Sequence, residues 1–220
     1  MTDSAMSHLA TSSGVIWALD DPGLIDAVEA CLAKSACFVM PTDTVYGLAA
    51  AASDQRGVDR LQTIKGRDDH FPPPVLLSSI DQAWPLIDKP SPYLATLARA
   101  GWPGAMTLIV NSRRVGMSLI ERVGTVGLRV PDRPAVQQLL AQTGPLAVSS
   151  ANRHGLPAAT TVEMAAGQLA DDVELLIDGG PSGDGIASTV VDCTGNRPKV
   201  LRVGQWTQDQ INDLVGVADA

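Results

Sequence analysis

Aromatic residues make up only 4% of the 220-residue chain, with two Tyr and two Phe. That scarcity argues against a surface that binds single-stranded nucleic acid by base stacking. Cysteine is also rare: Cys31, Cys37 and Cys193 are odd in number and fit no zinc spacing. They read as small buried hydrophobes in a reducing compartment. His8, His70 and His154 are scattered, which argues against a histidine-based metal site. No apolar run is long enough to cross a bilayer; the longest uncharged stretch, Pro134 to Asn152, is broken by Gln, Gly, Pro and Ser. Residues 1–13 lack both a basic region and an apolar core, so they read as a flexible tail, not a signal peptide. There is no P-loop and no G-x-G-x-x-G before a helix, so any nucleotide is held in another way. No Cys–His or Ser–His pair stands in a credible context, which argues against covalent nucleophilic catalysis.

What is present is a globular composition. Apolar residues reach 45% and charged residues 18%, which supports a sizeable core and excludes intrinsic disorder. The net charge of −8 argues against non-specific nucleic-acid binding. The charge is uneven. Residues 1–30 and 154–196 hold acids and no Lys or Arg. Arg56, Arg60, Lys65 and Arg67 form one basic group, and Arg99, Arg113, Arg114, Arg122, Arg129 and Arg133 a second. An acidic chain with local basic clusters suits a small anionic ligand.

Short strands alternate with helices, which predicts an α/β fold with a mixed sheet. Strands are expected at Val15–Leu19, Cys37–Met40, Val75–Ser78, Met106–Val110, Val126–Val130, Leu146–Ser149, Leu175–Asp178, Thr189–Asp192 and Val200–Val203. Helices are expected after Asp21-Pro22, from Asp54 to Ile64, near 81–87 and 91–100, after Asp132, over Thr161–Leu169 and after Thr207. No Pro- or Ser-rich linker interrupts the chain, so residues 14–220 read as a single domain.

Candidate chemistry gathers at strand ends, where open α/β sheets bind ligands. Pro41-Thr42-Asp43-Thr44-Val45-Tyr46 packs two hydroxyls, a carboxylate and a phenol after a buried strand; a capped turn is the plain alternative. Lys65-Gly66-Arg67 puts a point charge and a planar fork in one place, although cations at a helix C-terminus also complement its dipole. Trp102-Pro103-Gly104 reads as a structural corner. Thr125 and Arg129 share one face of their strand. An Arg among Val, Gly and Leu must find an anion, so Arg129 is a candidate holder of carboxylate or phosphate. Ser149-Ser150-Ala151-Asn152 closes a strand with groups that can bond phosphate or ribose, or simply cap a turn. Ser188-Thr189 and Arg202, at later strand ends, are weak signals alone.

Together these pieces resemble the YrdC-like (TsaC) family of L-threonylcarbamoyladenylate synthases. PTDTVYGL, IKGR, WPGAMTLIV, TVGLRVP, SSAN with GLPAATT, STVVD and VLRVG run in family order over nearly the whole chain. The resemblance implies a YrdC-like twisted mixed β-sheet flanked by helices, with an open central cavity. It implies condensation of L-threonine, bicarbonate or CO2 and ATP into threonylcarbamoyl-AMP and pyrophosphate, with Mg²⁺ on the nucleotide. The family's catalytic tetrad falls on Lys65, Arg67, Ser150 and Asn152. Its ATP contacts fall on Arg67, Thr125, Ser150, Asn152 and Arg202, and its threonine contacts on Thr44, Arg129, Val148 and Ser188. The product would pass, in the cytoplasm, to a TsaD-type transferase that modifies tRNA, with at most a weak direct tRNA contact and none with a membrane. Ser149, Val203, Ser78 and Ala158 depart from the family pattern. A paralogue with another substrate, or an RNA-binding module of the same fold, stays open on the sequence alone.

Overall fold

The computed structural model describes residues 9–10, 15–66, 72–113 and 124–216. Eleven strands form one mixed sheet. In chain order they are β1 (Leu9–Ala10), β2 (Val15–Ala18), β3 (Phe38–Met40), β4 (Gly47–Ala51), β5 (Val75–Leu76), β6 (Met106–Asn111), β7 (Thr125–Arg129), β8 (Leu146–Ser150), β9 (Leu175–Asp178), β10 (Thr189–Asp192) and β11 (Lys199–Arg202). Their spatial order is β1-β2-β9-β3-β4-β8-β5-β7-β6-β10-β11. β2–β9, β3–β9, β5–β7 and β6–β10 pair in parallel, and the other neighbours are antiparallel. Leu9–Ala10, expected in the tail, pairs with β2.

The helices are α1 (Leu24–Ala33), α2 (Gln55–Lys65), α3 (Leu94–Gly101), α4 (Pro134–Thr143), α5 (Val162–Leu169) and α6 (Gln208–Val215). Asp54 caps α2, with its carboxylate accepting the Arg56 amide, and Thr207 caps α6 in a reciprocal box with Gln210. Two expected caps fail. Asp21 bonds the Gly23 amide in a tight turn, so α1 begins later, at Leu24. Asp132 caps nothing: Arg133 is the N-cap residue of α4, without a side-chain bond. The helix expected near 81–87 is two 3-10 turns, Ile80–Gln82 and Trp84–Leu86; Pro85, inside the second, has no N–H to carry one helix through both. β4 was not expected. Its Ala-rich sequence has weak strand preference, and pairing with β3 and β8 on both sides overrides it.

Strand alternation sorts the core onto two faces. One face carries Leu48, Ala50, Ala147, Val75, Leu128, Leu108 and Val191, packed under α2, α5, α3 and α6. On the other face, α1 and α4 cover Phe38, Met40, Ala49, Leu76, Leu146, Val148, Leu175 and Ile177. That second cover stops halfway. Beyond β5 the same face continues through β7, β6 and β10, where Thr125, Gly127, Ile109 and Val190 are half-buried, and no described helix lies over them.

Candidate active site

Register places Thr125 and Arg129 on that half-covered face. Leu76 pairs with both Leu146 and Arg129, so Arg129 points the same way as Leu146, Val148 and Ser150. Thr125 follows on β7, about 13 Å along the strand from Arg129. Across β6, Thr107 pairs with Val190, which in turn pairs with Arg202. Residues far apart in sequence thus share one surface.

Three members of the expected tetrad meet. Lys65, the last residue of α2, is 3% exposed. Its ammonium donates to Ser150 O at 2.7 Å, Asn152 Oδ1 at 2.8 Å and Asn152 O. Ser150 Oγ donates to the same Asn152 Oδ1 at 2.6 Å, and lies 3.4 Å from Lys65 Nζ. Asn152 Nδ2 donates to Leu156 O at 2.6 Å, which ties the following loop to the cluster. These bonds use all three N–H groups of the ammonium. Lys65 therefore acts as a fixed positive charge that shapes the Ser150–Asn152 loop. Arg67 lies outside the described residues, as do Arg114 and Arg122.

A second node forms at Arg129. Its guanidinium donates to Asp43 Oδ1 at 2.7 Å, Thr44 Oγ1 at 3.1 Å and Gly104 O at 3.0 Å. The anion demanded by the sequence is thus the chain's own Asp43. Burial lowers the Arg129 pKa, and the Asp43 charge opposes that shift. Thr42 Oγ1 donates to Val45 O at 2.6 Å and accepts the Thr44 amide at 3.2 Å, forming the capped turn. Arg133 donates to Thr42 O and Gly179 O, and Tyr46 Oη to Gly180 O at 2.8 Å, so the loop after β9 is stitched to the same turn.

A third node joins Ser188 to Arg202. Arg202 Nε donates to Ser188 O at 3.0 Å and its Nη2 to Ser188 Oγ at 3.1 Å. Ser188 Oγ is 2.9 Å from Thr107 Oγ1. Gly204 holds this turn because its backbone lies against the chain: a Cβ there would meet Ala187 O at 2.3 Å and Thr189 N at 2.6 Å. Gly204→Ala is expected to destabilise the fold by about 1–3 kcal/mol or more. A urea melt checks this, and an unchanged midpoint would mean that the turn yields freely.

Asp43 was marked only as a carboxylate in the strand-end turn, and Gly104 and Thr107 were given no site role. Their partners lie tens of residues away, so no local pattern reveals these contacts. Val148 is buried under the α1 and α4 cover and packs against Gly47, where a Cβ would sit 2.5 Å from its Cγ1. Thr125 stands at the opening of β7, opposite Asn111. A separate hollow of about 520 Å³ lies between α1 and α4 beside Asp20, Asp21 and Asp178; its acids are unsuited to a triphosphate. Among the described residues no group of three His, Cys, Asp or Glu could hold a metal ion, and no helix is long and apolar enough to cross a membrane.

Residues 30–204 match the sequence profile of the Sua5/YciO/YrdC family, described as "Telomere recombination". The putative threonylcarbamoyl-AMP synthase of Mycobacterium tuberculosis (strain ATCC 25618 / H37Rv) is 41% identical over 196 residues, covering 89% of this chain and 90% of that protein. The threonylcarbamoyl-AMP synthase of Bacillus subtilis (strain 168) is 36% identical over 200 residues, which are 90% of this chain and 58% of that protein. The crystal structure of Pyrococcus abyssi Sua5 complexed with L-threonine superposes with a TM-score of 0.81 at 31% identity, covering 87% of this chain and 57% of that one. The chain thus spans most of the mycobacterial protein and a little over half of the other two. With its profile match and a near-full-length relative, the chain belongs to the Sua5/YciO/YrdC family.

Proposed function

We propose that the chain is a threonylcarbamoyl-AMP synthase, a nucleotidyltransferase that joins L-threonine, bicarbonate or CO2, and ATP. The amine nitrogen bonds to the CO2 carbon and loses a proton, giving a carbamate. A carbamate oxygen then attacks the α-phosphorus of ATP, the bond to the bridging oxygen breaks, and pyrophosphate leaves with the electron pair. Nucleophile and electrophile are both anionic, so fixed cations lower the barrier.

The observation that carries this reading is the set of three cationic nodes at strand ends of one sheet, centred on Lys65, Arg129 and Arg202. Lys65 donates to the oxygens of Ser150 and Asn152, and Arg202, an exposed residue, donates to Ser188. Both suit a polyphosphate. At Arg129 the charge is balanced by Asp43, which suits the directional capture of one small carboxylate. The spacing along β7 accommodates an amino acid beside a nucleotide, and holding the reactants together supplies a further large share of the acceleration.

The described residues do not fit a protein-held metal, since the Asp43 carboxylate at the Arg129 node is already paired and no group of three His, Cys, Asp or Glu stands among them. Mg²⁺ is proposed to arrive on the ATP phosphates, as that ion commonly does. We place the reaction in the cytoplasm, with the product passed to a TsaD-type tRNA threonylcarbamoyltransferase and only weak direct contact with tRNA.

Mass spectrometry of a reaction containing ATP, Mg²⁺, bicarbonate and L-threonine tests the proposal. Threonylcarbamoyl-AMP and pyrophosphate are expected in equal amounts, with less product from L-serine and none from carbamoyl phosphate. Absence of a threonine-dependent adenylate would overturn it.

A further inference from the structure

Arg129 lies in a nearly dry setting: its side chain is 7% exposed and that of Asp43 12%. Charge balance alone does not account for such a pair, since two apolar side chains would fill the same space at similar stability. What the pair adds is direction. Three contacts from two loops, to Asp43 Oδ1, Thr44 Oγ1 and Gly104 O, fix the guanidinium plane. They engage three of its five N–H groups, leaving one on each terminal nitrogen.

Asp43 is itself held. The Thr42 hydroxyl bonds fix the turn that carries it. From outside, the loop after β9 presses on its backbone: a Cβ at Gly183 would lie 2.6 Å from Asp43 O and 2.9 Å from Thr44 O. The carboxylate therefore cannot follow a guanidinium that swings away.

We propose that Asp43 is a positioning and specificity residue: by locking and neutralising Arg129, it makes that corner of the face a carboxylate fork and keeps it from serving as a second phosphate site. The proposal rests on the synthase reading above and deepens it. A triphosphate seeks net positive charge, and Asp43 removes that charge at Arg129. The nucleotide is then directed to the Lys65 and Arg202 side, while a monocarboxylate has the two remaining terminal N–H groups of Arg129 to bond.

The test compares Asp43→Asn with the parent chain by pyrophosphate release, with each substrate titrated in turn. Asparagine keeps an oxygen for Arg129 but removes the charge. The expected result is a KM for L-threonine raised 10-fold or more, with the KM for ATP changed less than 2-fold. Asp43→Glu restores the charge with a displaced carboxylate, and its threonine KM is expected to rise about 3-fold on the same basis. Circular dichroism establishes folding, and if the Asn variant is unfolded, the Glu variant decides. Equal shifts in both KM values, or an unchanged threonine KM, would overturn the positioning role while leaving the synthase reading intact. A parent chain with no threonine-dependent pyrophosphate release would instead overturn both.

Discussion

Lys65→Met is expected to cut threonine-dependent pyrophosphate release by about 10²–10³-fold, the usual consequence of removing a preorganised charge from a reacting anionic centre. Methionine follows the lysine chain as far as Cε and keeps its apolar stem while removing the charge. The variant also strips donors from Ser150 O, Asn152 O and Asn152 Oδ1. Each acceptor left dry costs about 1–3 kcal/mol. Water entering from the half-open side of the cluster offsets part of that cost. Activity and thermal melting are therefore measured together, with assays run well below the melting temperature. A folded Lys65→Met protein with near-normal pyrophosphate release would show that the charge near the triphosphate is dispensable, and the electrostatic account would fall with it.

Arg129→Met carries the largest expected effect on stability. Removing one partner of a buried ion pair strands the other, at a cost of about 3–5 kcal/mol. Asp43 would be that stranded charge, and the Gly104 carbonyl and Thr44 hydroxyl would each lose a donor. For a chain of this size each kcal/mol corresponds to roughly 2–4 °C, so the melting temperature falls by about 6–20 °C. The double variant Asp43→Leu/Arg129→Met removes both charges and is expected to regain most of the loss. Calorimetry on the four members of this cycle checks both statements. Additive losses would mean that the two residues act independently, against the geometry.

How far the sequence foretold this arrangement varies from element to element. Where a signal is local, it held: Asp54 and Thr207 begin the helices they were expected to cap. Residues 38–40, 125–129, 146–150 and 189–192 form strands close to the expected bounds. Where two local signals compete, it slipped. Asp21 stands directly before Pro22 and Asp132 two residues before Pro134, and both resemble caps, yet each helix starts beyond them. Gly47–Ala51 is a strand because of its neighbours, which its own composition does not reveal. The site shows the same division. Lys65, Ser150 and Asn152 were named from motif text and do converge, whereas the partner of Arg129 is 86 positions away and only the folded chain reveals it.

The burial of the cysteines has a practical consequence. All three sulfurs are enclosed, and desolvation pushes each thiol up to about 12. At pH 7 on the order of one in 10⁵ is ionised, and only that form is a good nucleophile towards maleimides. The native protein is therefore a silent background for site-specific dye attachment. A single Leu156→Cys change, at a residue 50% exposed whose carbonyl accepts from Asn152, would place a fluorophore beside the Lys65–Ser150–Asn152 cluster without first stripping any natural sulfur from the chain.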